Sequence, residues 1–249
     1  MLLKDKVAVV TGGGRDIGRA ISIRLASEGA KVVINYFNSE GEAKKTLESV
    51  ERSGGKGIII KGDMTKNTDV EKLYQETKKN FGEANILINN TGGLIARKPL
   101  AEMTEAFYQQ VFDLNFKSAL LVSKAFIPEM KKGDAVVNIS SQAARDGGGS
   151  GSALYASSKA ALSTFTRAMA KEFGPKGIRV NAICPGMIDT LFHDMHTAKE
   201  NREKVASSTP LRREGEAMDV ADLVCFLASD QAKHLTGVNY DINGGFLFS

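Results

Sequence analysis

The chain has 249 residues, of which 42% are hydrophobic, and its 33 basic and 29 acidic side chains give a net charge of +4. This is enough to bury a large core, and we expect one α/β domain over residues 1–249. Interspersed charges of both signs exclude a typical nucleic-acid-binding protein, and the lack of an apolar signal segment or a run of about eighteen apolar residues predicts a cytoplasmic protein that does not span a membrane.

The N-terminal segment has the pattern of a strand, a turn and a helix. Val7–Val10 is apolar throughout, residues 11–18 are rich in glycine, and Arg19–Glu28 has helical spacing. Glycines let the backbone approach a pyrophosphate, whose charge is stabilised by the amides and dipole at a helix N-terminus. The segment therefore predicts a dinucleotide-binding turn, although a glycine run can also be an ordinary tight turn.

Strands and helices continue to alternate along the chain. We predict further strands at Val32–Tyr36, Gly57–Lys61, Ile86–Asn89, Ala135–Ser140, Arg179–Ile183 and Asn239–Ile242. We predict helices at Glu40–Ser53, Asp69–Phe81, Glu105–Lys131 and Tyr155–Phe173. Repeated βαβ units with apolar strands indicate a parallel sheet with helices on both faces and ligands at the carboxyl ends of the strands.

The predicted helix that begins at Tyr155 places Lys159 four residues later on the same face. A phenol holds its proton up to about pH 10, and a fixed positive charge nearby lowers that pKa toward a range useful for acid/base chemistry. Taken alone, such a pair is more often a packed ring beside a solvated charge. Its neighbours in the sequence therefore decide how it is interpreted.

Taken together, the motifs resemble the short-chain dehydrogenase/reductase family from about Lys4 to Gly245. Gly12 and Gly18 match the family's glycine pattern, whereas Asp16 replaces the middle glycine; aspartate tolerates unusual turn dihedrals. Further matches are Asn89-Asn90-Thr91-Gly92, Asp113-Leu114-Asn115, Ser141 with Tyr155 and Lys159, Pro185 to Thr190, Thr236-Gly237 and Gly244-Gly245. The resemblance implies a single-domain, Rossmann-type doubly wound parallel sheet of about seven strands.

The resemblance also implies a catalytic set of Asn115, Ser141, Tyr155 and Lys159. Tyr155 would supply a proton to the substrate oxygen, which Ser141 would hold. Lys159 would perturb Tyr155 and bind the nicotinamide ribose, and Asn115 would hold a water that connects Lys159 to solvent. Alignment of the strand end favours Ser141 over the alternative, Ser140, and assigns one extra residue to the loop 145–154.

The cofactor contacts implied by the resemblance combine the glycine turn with the ends of later strands. They are Gly12, Gly14, Arg15, Asp16, Ile17, Gly18, Tyr36, Asp63, Met64, Asn90, Gly92, Tyr155, Lys159, Pro185, Gly186, Ile188 and Thr190. No acidic residue ends the second strand to hold a free ribose hydroxyl, and Arg15 lies where relatives place a base near a 2′-phosphate. We therefore expect NADP(H) in preference to NAD(H). For Asp63, a plain helix N-cap is the competing interpretation.

The substrate is predicted less sharply than the cofactor. Residues 187–212 should form a substrate lid with polar side chains such as His193, and Arg145 is positioned to pair with a carboxylate. These residues favour a polar keto-acid or a sugar-derived carbonyl compound. The three histidines and the lone Cys184 and Cys225 lack metal-ligand spacing, so we expect no metal site.

The overall resemblance is greatest to 3-oxoacyl-carrier-protein reductases, which act on a carrier-bound carbonyl substrate. Lys131, Lys132 and Lys171 would then offer a basic docking face for the acidic carrier, although exposed helix ends have the same composition. A third possibility is a catalytically silent nucleotide-binding regulatory protein. The family resemblance further implies a homotetramer formed through the helices that contain Asn115 and Tyr155.

Overall fold

The computed structural model describes residues 1–191 and 197–248. Within these residues lies a seven-stranded parallel sheet of order β3-β2-β1-β4-β5-β6-β9, and a separate two-stranded ladder, β7-β8. The strands are β1 Val7–Val10, β2 Lys31–Tyr36, β3 Lys56–Lys61, β4 Ile86–Asn89, β5 Ala135–Ile139, β6 Arg179–Pro185, β7 Ile188–Asp189, β8 Gly215–Glu216 and β9 Asn239–Ile242. The doubly wound parallel sheet predicted from the sequence is confirmed.

Helices cover both faces of this sheet. They are α1 Asp16–Ser27, α2 Glu40–Arg52, α3 Asn67–Phe81, α4 Glu105–Phe112, α5 Ser118–Phe126, α6 Ala143–Asp146, α7 Ala153–Phe173, α8 Lys199–Ser208 and α9 Ala217–Ala228. None of the described helices is long and apolar enough to cross a bilayer.

Two apolar cores result from the alternation of side chains along each strand. Val10, Ile34 and Ile88 point to one face, where they pack with α1, α2 and α9. Val9 and Val33 point to the other face, where they pack with α3, α5 and α7. Because helices cover both faces of the sheet, the strands are continuously apolar. Ligands can therefore bind only at the edge of the sheet where the carboxyl ends of the strands emerge.

The predicted helix over residues 105–131 is interrupted. A π-helical turn spans Asp113–Lys117 between α4 and α5, and a 3-10 turn that contains Pro128 follows α5 over Ile127–Glu129. The predicted helical segment is therefore confirmed as far as Glu129, but its geometry changes from α to π, back to α and then to 3-10. Single π turns inside a helical segment concentrate at functional sites, and this one contains Asn115.

Other differences concern helix limits and helices that were not predicted, which are α6, α8 and α9. Helix α1 begins at Asp16, three residues before the predicted start, so the glycine turn leads directly into the helix. Helix α9 has no counterpart among the predicted elements. Its N-terminus carries a capping box between Glu216 and Asp219, and this is the sequence signal by which it could have been found.

Candidate active site

A cavity with a volume of 1040 Å³ opens at the carboxyl ends of the central strands. Ligand cavities commonly span about 300–1,000 Å³, so this one has room for a large ligand. Its wall contains every residue that the sequence assigned to the cofactor, together with Ser141. The cavity lies where the strand order reverses between β1 and β4, the usual ligand crevice of doubly wound sheets.

The glycine turn is fixed to the strands on both sides of it. The Asn90 side chain donates to the carbonyls of Thr11 at 3.0 Å and Gly12 at 3.1 Å. On the other side, the buried Asn35 side chain accepts from the Gly12 amide at 3.2 Å and donates to the Gly62 carbonyl at 3.0 Å. These bonds hold the turn open at the N-terminus of α1, where amides and the helix dipole favour a phosphate group.

The turn of residues 12–18, which we call the cradle, has no room for a side chain at Gly18. A Cβ at Gly18 would lie 2.2 Å from the Gly12 carbonyl oxygen and 2.7 Å from the Asn90 Nδ2. Gly12 itself has a φ of +60°, in the left-handed region. The cradle therefore fits the close approach of a pyrophosphate, as a dinucleotide requires.

We expect Gly18→Ala to weaken dinucleotide binding by about a hundredfold, because the methyl group must push the Gly12 carbonyl or Asn90 out of the cradle. The dissociation constant would be measured from the change in nicotinamide fluorescence on binding. Gly41→Ala is the matched control, since a Cβ there meets nothing within 4 Å. Equal affinity of Gly18→Ala and wild-type protein would contradict the cradle.

Asp16 occupies the position of the missing middle glycine with a φ of +51°. This is the left-handed conformation that aspartate tolerates better than most side chains. Its Oδ1 accepts a hydrogen bond from the Leu191 amide at 3.1 Å, and its Oδ2 lies 3.5 Å from the Arg15 Nε. The replacement therefore keeps the turn and adds a carboxylate to it.

The far end of the cavity is lined by residues that follow β2 and β3. The wall here includes residues 35–39, among which there is no carboxylate. Arg15 also lines the cavity, with a side chain that is 50% exposed. Asp63 also lines the wall, and its Oδ1 accepts from the Thr65 amide and hydroxyl at 2.9 and 2.8 Å. Because Lys66 is the N-cap of α3, the alternative role of Asp63 as that helix's cap is excluded.

The hydroxyls of Tyr155 and Ser141 meet on the wall of the cavity, where they form a hydrogen bond. Burial raises the pKa of Tyr155 above its ordinary value, and the hydrogen bond with Ser141 lowers it by less. Loss of hydration is the largest influence on this pKa, and the lowering of it by Lys159 stays a prediction. Tyr155 is therefore a neutral phenol, which can donate a proton.

Ser140 makes different contacts. Its hydroxyl donates to the Lys159 carbonyl at 2.9 Å and lies 2.8 Å from the Ser163 hydroxyl, both on α7. The Ser141 oxygen instead accepts from the Ala143 amide at 3.1 Å and keeps its hydrogen for a partner in the cavity. The two neighbouring serines thus have separate roles: Ser140 fixes α7 to β5, and Ser141 faces Tyr155.

Lys159 is almost completely buried, with 3% of its surface exposed. Its ammonium donates to the Ile139 carbonyl at 2.8 Å, and burial lowers its pKa to about 8. A lysine with this pKa is still largely charged at pH 7 and loses its proton just above that pH. The cavity therefore contains a cation whose charge titrates near physiological pH.

Asn115 lies behind the wall, fully buried in the π turn. Its Oδ1 accepts from the Gly93 amide at 2.9 Å, and its Nδ2 donates to the Gly93 and Val111 carbonyls at 2.9 and 3.0 Å. A Cβ at Gly92 would lie 2.7 Å from the Lys159 Nζ and 2.8 Å from the Asn115 Oδ1. Asn115 and Lys159 therefore border one small space that exists because residue 92 is glycine.

The two predicted substrate residues are not brought into the cavity. Arg145 lies outside the wall that the described residues form: its Nε is 3.2 Å from the Asp241 Oδ1, and its Nη2 donates to the Asn239 carbonyl at 2.8 Å. The substrate role predicted for Arg145 is thus corrected, because strand β9 already holds the guanidinium. His193 lies outside the described residues.

Several residues of the wall were missed by sequence reasoning. They come from loops and from the segment around α8 and include Leu94, Arg97, Gln142, Asn201, Arg213 and Phe246. The Arg97 Nη1 donates to the Ser150 carbonyl, in the glycine-rich loop before α7, at 3.0 Å. No periodicity marks such loop positions, so the sequence offers no signal for them. Among the described residues there is no cluster of three potential metal ligands.

Comparisons with known proteins agree with this geometry. A family profile described as "Enoyl-(Acyl carrier protein) reductase" matches residues 12–247. The chain is 34% identical to a "Short chain dehydrogenase" of Claviceps purpurea, covering 98% of this chain and 96% of the relative. It is 35% identical to a "Hydroxynaphthalene reductase-like protein Arp2" of Metarhizium robertsii, covering 98% and 95%.

Solved structures give the same result at the level of the fold. A short-chain dehydrogenase/reductase from Serratia marcescens superposes with a TM-score of 0.93 at 33% identity, covering 99% of both chains. A short-chain dehydrogenase from Burkholderia cenocepacia, solved in complex with NADP, gives 0.92 at 32% identity, again covering 99% of both. With its dinucleotide cradle and its Ser141–Tyr155 pair beside a buried lysine, the chain belongs to the short-chain dehydrogenase/reductase family of nicotinamide-dependent oxidoreductases, which act on C=O and CH–OH groups.

Proposed function

We propose that this protein is an NADPH-dependent carbonyl reductase whose proton donor is Tyr155. The observation that carries the proposal is the hydrogen bond between the Ser141 and Tyr155 hydroxyls on the cavity wall, beside the buried Lys159. A reduced nicotinamide cofactor, with its pyrophosphate held by the cradle, would supply a hydride to the carbonyl carbon of the substrate. The chain's own residues would then handle the oxygen and the proton.

Ser141 and Tyr155 would together hold the substrate oxygen, because both hydroxyls can donate to the same acceptor. Tyr155 would pass its proton to that oxygen as negative charge develops there, which a neutral phenol allows. The charged Lys159 would stabilise the phenolate left behind. Asn115 would fix Gly93, and with it the backbone beside Lys159, through its three hydrogen bonds. These are the proposed roles of the four predicted catalytic residues.

A preference for NADPH over NADH is part of the proposal. The absence of a carboxylate from residues 35–39 leaves no partner of the usual kind for a free ribose hydroxyl. Arg15 and Ser39 both line the cavity, and Ser39, at the N-cap of α2, has a side chain that makes no capping bond. A related protein from Burkholderia cenocepacia was solved with NADP, which supports the same choice.

We expect Arg15→Ala to raise the KM for NADPH about five- to tenfold and to leave the KM for NADH within about twofold, because only NADPH offers a phosphate to the guanidinium. Both cofactors would be assayed in parallel by absorbance of the reduced nicotinamide. The matched control is Arg19→Ala, one turn further along α1, where the guanidinium lies 3.6 Å from Glu42. Equal loss with both cofactors would contradict a 2′-phosphate contact.

For the substrate we propose a 3-oxoacyl thioester or a small polar carbonyl compound. The description of the matched profile, which names an acyl carrier protein, supports an acyl thioester without naming its 3-oxo group, and Arg97 on the cavity wall supports an anionic member of the second class. The basic face suggested for carrier docking must be corrected, however. Lys131 and Lys132 directly precede β5 and Lys171 precedes β6, so these lysines lie at the amino ends of the strands, opposite the cavity.

A substrate panel tests these alternatives. Oxoacyl thioesters with and without the carrier, keto-acids and uncharged ketones would be assayed with NADPH at saturating cofactor. Turnover of carrier-bound thioesters alone would support the first class, and turnover of keto-acids that is lost in Arg97→Ala would support the second. Failure of every carbonyl class to oxidise NADPH would contradict the reductase proposal itself.

We also propose that the protein is a homotetramer in the cytoplasm. The helical segments 114–126 and 160–173 carry many small and apolar residues, and Tyr108 and Leu120 on α4 and α5 are 45% and 38% exposed. An apolar helix face of this kind is suited to a symmetric contact between identical chains. Sedimentation velocity should give the mass of four chains of 26.8 kDa each; a monomer at micromolar concentration would contradict the proposal.

A further inference from the structure

Asp16 stands where the family's glycine pattern has its middle glycine. Its carboxylate makes a contact that glycine cannot make. Its Oδ1 accepts from the Leu191 amide across 175 positions of sequence, at 3.1 Å. The Asp16 side chain is 22% exposed and Leu191 is 51% exposed, so the bond lies at the surface of the molecule. The glycine turn is thereby connected directly to the backbone that follows β7.

The backbone reached by Asp16 belongs to the cavity wall. Ile188 and Thr190 both line the cavity, and the Thr190 hydroxyl donates to the Ile188 carbonyl at 3.1 Å. On its outer side this segment is held by Arg202 of α8, whose guanidinium contacts Asp189 at 2.5 Å and also pairs with Glu214. The segment 188–191 thus has one attachment to α8 and another, through Asp16, to the cradle itself.

We infer that Asp16 is a positioning residue that fixes residues 190–191 against the pyrophosphate cradle and thereby slows release of the nicotinamide cofactor. This inference rests on the proposed function, because it assumes that the cofactor lies between the cradle and Thr190. The carboxylate does not touch the reacting groups. Its effect is to keep the wall in place, since a backbone amide bonded to a carboxylate is held more firmly than one bonded to water.

Asp16 also places a negative charge at the N-terminus of α1, close to where a pyrophosphate would lie. Repulsion between the Asp16 carboxylate and the pyrophosphate would weaken cofactor binding, whereas the hydrogen bond to Leu191 would strengthen it. Two substitutions separate them. Asp16→Asn keeps an acceptor for Leu191 and removes the charge, whereas Asp16→Gly removes both and is compatible with the positive φ.

The experiment has two readouts, amide exchange at Leu191 and the rate of NADPH release. Deuterium uptake at the Leu191 amide reports the hydrogen bond without any cofactor, and stopped-flow displacement of NADPH by excess NADP⁺ reports the release rate. Glu42→Gln is the matched control: it removes another carboxylate from the same end of the molecule, one that contacts Arg19 and Lys45.

For Asp16→Gly we expect loss of Leu191 protection and about fivefold faster NADPH release than in wild-type protein. Asp16→Asn should keep the protection and release NADPH no faster than wild-type protein, and Glu42→Gln should leave both quantities unchanged. Equal Leu191 exchange in Asp16→Gly and wild-type protein would overturn the inference, as would equal release rates. Wild-type protein that binds no NADPH would instead contradict the proposed function. Exchange at the Leu191 amide would still test its hydrogen bond with Asp16.

Discussion

Tyr155→Phe should lower kcat for carbonyl reduction by about a thousandfold while the Kd for NADPH stays within about threefold, because general-acid catalysis commonly contributes 10²–10⁴. The substitution removes one oxygen and leaves the ring, so the wall of the cavity keeps its shape. It removes both the proton and one of the two donors that would hold the substrate oxygen. We would measure turnover by the loss of reduced nicotinamide absorbance and cofactor affinity by fluorescence titration.

Tyr74→Phe is the control for this substitution. Its hydroxyl lies 3.3 Å from Glu83, and its ring packs edge-on against Phe126 in the apolar core, outside the cavity wall that the described residues form. We expect full turnover in Tyr74→Phe. Unchanged turnover in Tyr155→Phe would reject Tyr155 as the acid. No turnover in wild-type protein, with intact NADPH binding, would support the alternative of a silent nucleotide-binding regulator.

Lys159→Met should abolish most of the turnover and at the same time make the protein more stable. Burial of this ammonium lowers its pKa from 10.5 to about 8. The charged form of Lys159 therefore reduces the free energy of unfolding. That difference corresponds to about 3 kcal/mol, part of which is offset by the hydrogen bond to Ile139. We expect the free energy of unfolding at pH 7 to rise by about 1–2 kcal/mol, as is common when a functional charge is removed.

The pH dependence has a defined sign. Below about pH 8 the lysine is protonated in both the folded and unfolded states, so its destabilising contribution is constant. Between about pH 8 and 10.5 the unfolded state binds more protons, and the contribution of Lys159 to stability increases with pH. The stability advantage of Lys159→Met should therefore be largest below pH 8 and decrease above it, as measured by urea unfolding at several pH values.

The same titration should appear in the wild-type activity. If the charged Lys159 stabilises the phenolate, kcat for reduction falls as pH rises through about 8. Lys171→Met, an exposed lysine on the same helix α7, is the control, and it should change neither stability by more than about 0.5 kcal/mol nor the pH profile. A wild-type profile that is flat from pH 7 to 9.5 would contradict the assignment of Lys159.

Much of the active site could be predicted because its residues follow strands or lie on one helix face. Gly12 and Gly18 follow a buried strand, and Tyr155 and Lys159 are one helical turn apart. These are local patterns, and a parallel sheet brings all carboxyl ends to one edge. Residues at the ends of β1, β4, β5 and β6 consequently line one cavity although they are far apart in sequence.

Other features depended on long-range packing and could not be predicted locally. Arg145 has the composition of an anion-binding residue, but strand β9, almost a hundred positions away, provides its partners. Lys131 and Lys171 have the composition of a docking face, but the direction of the strands places them opposite the cavity. The pKa of Tyr155 is governed by burial, which no spacing of residues reveals.

The amino-acid sequence by itself determined the family, the order of strands and helices, and the identity of the residues that face the cavity after each strand, because short-range periodicity and turn chemistry encode them. Only the tertiary structure decided that Arg97 lines the cavity whereas Arg145 does not, and that Asp16 reaches Leu191. These outcomes depend on distances between elements and on loss of hydration, and both arise only when the helices pack against the sheet.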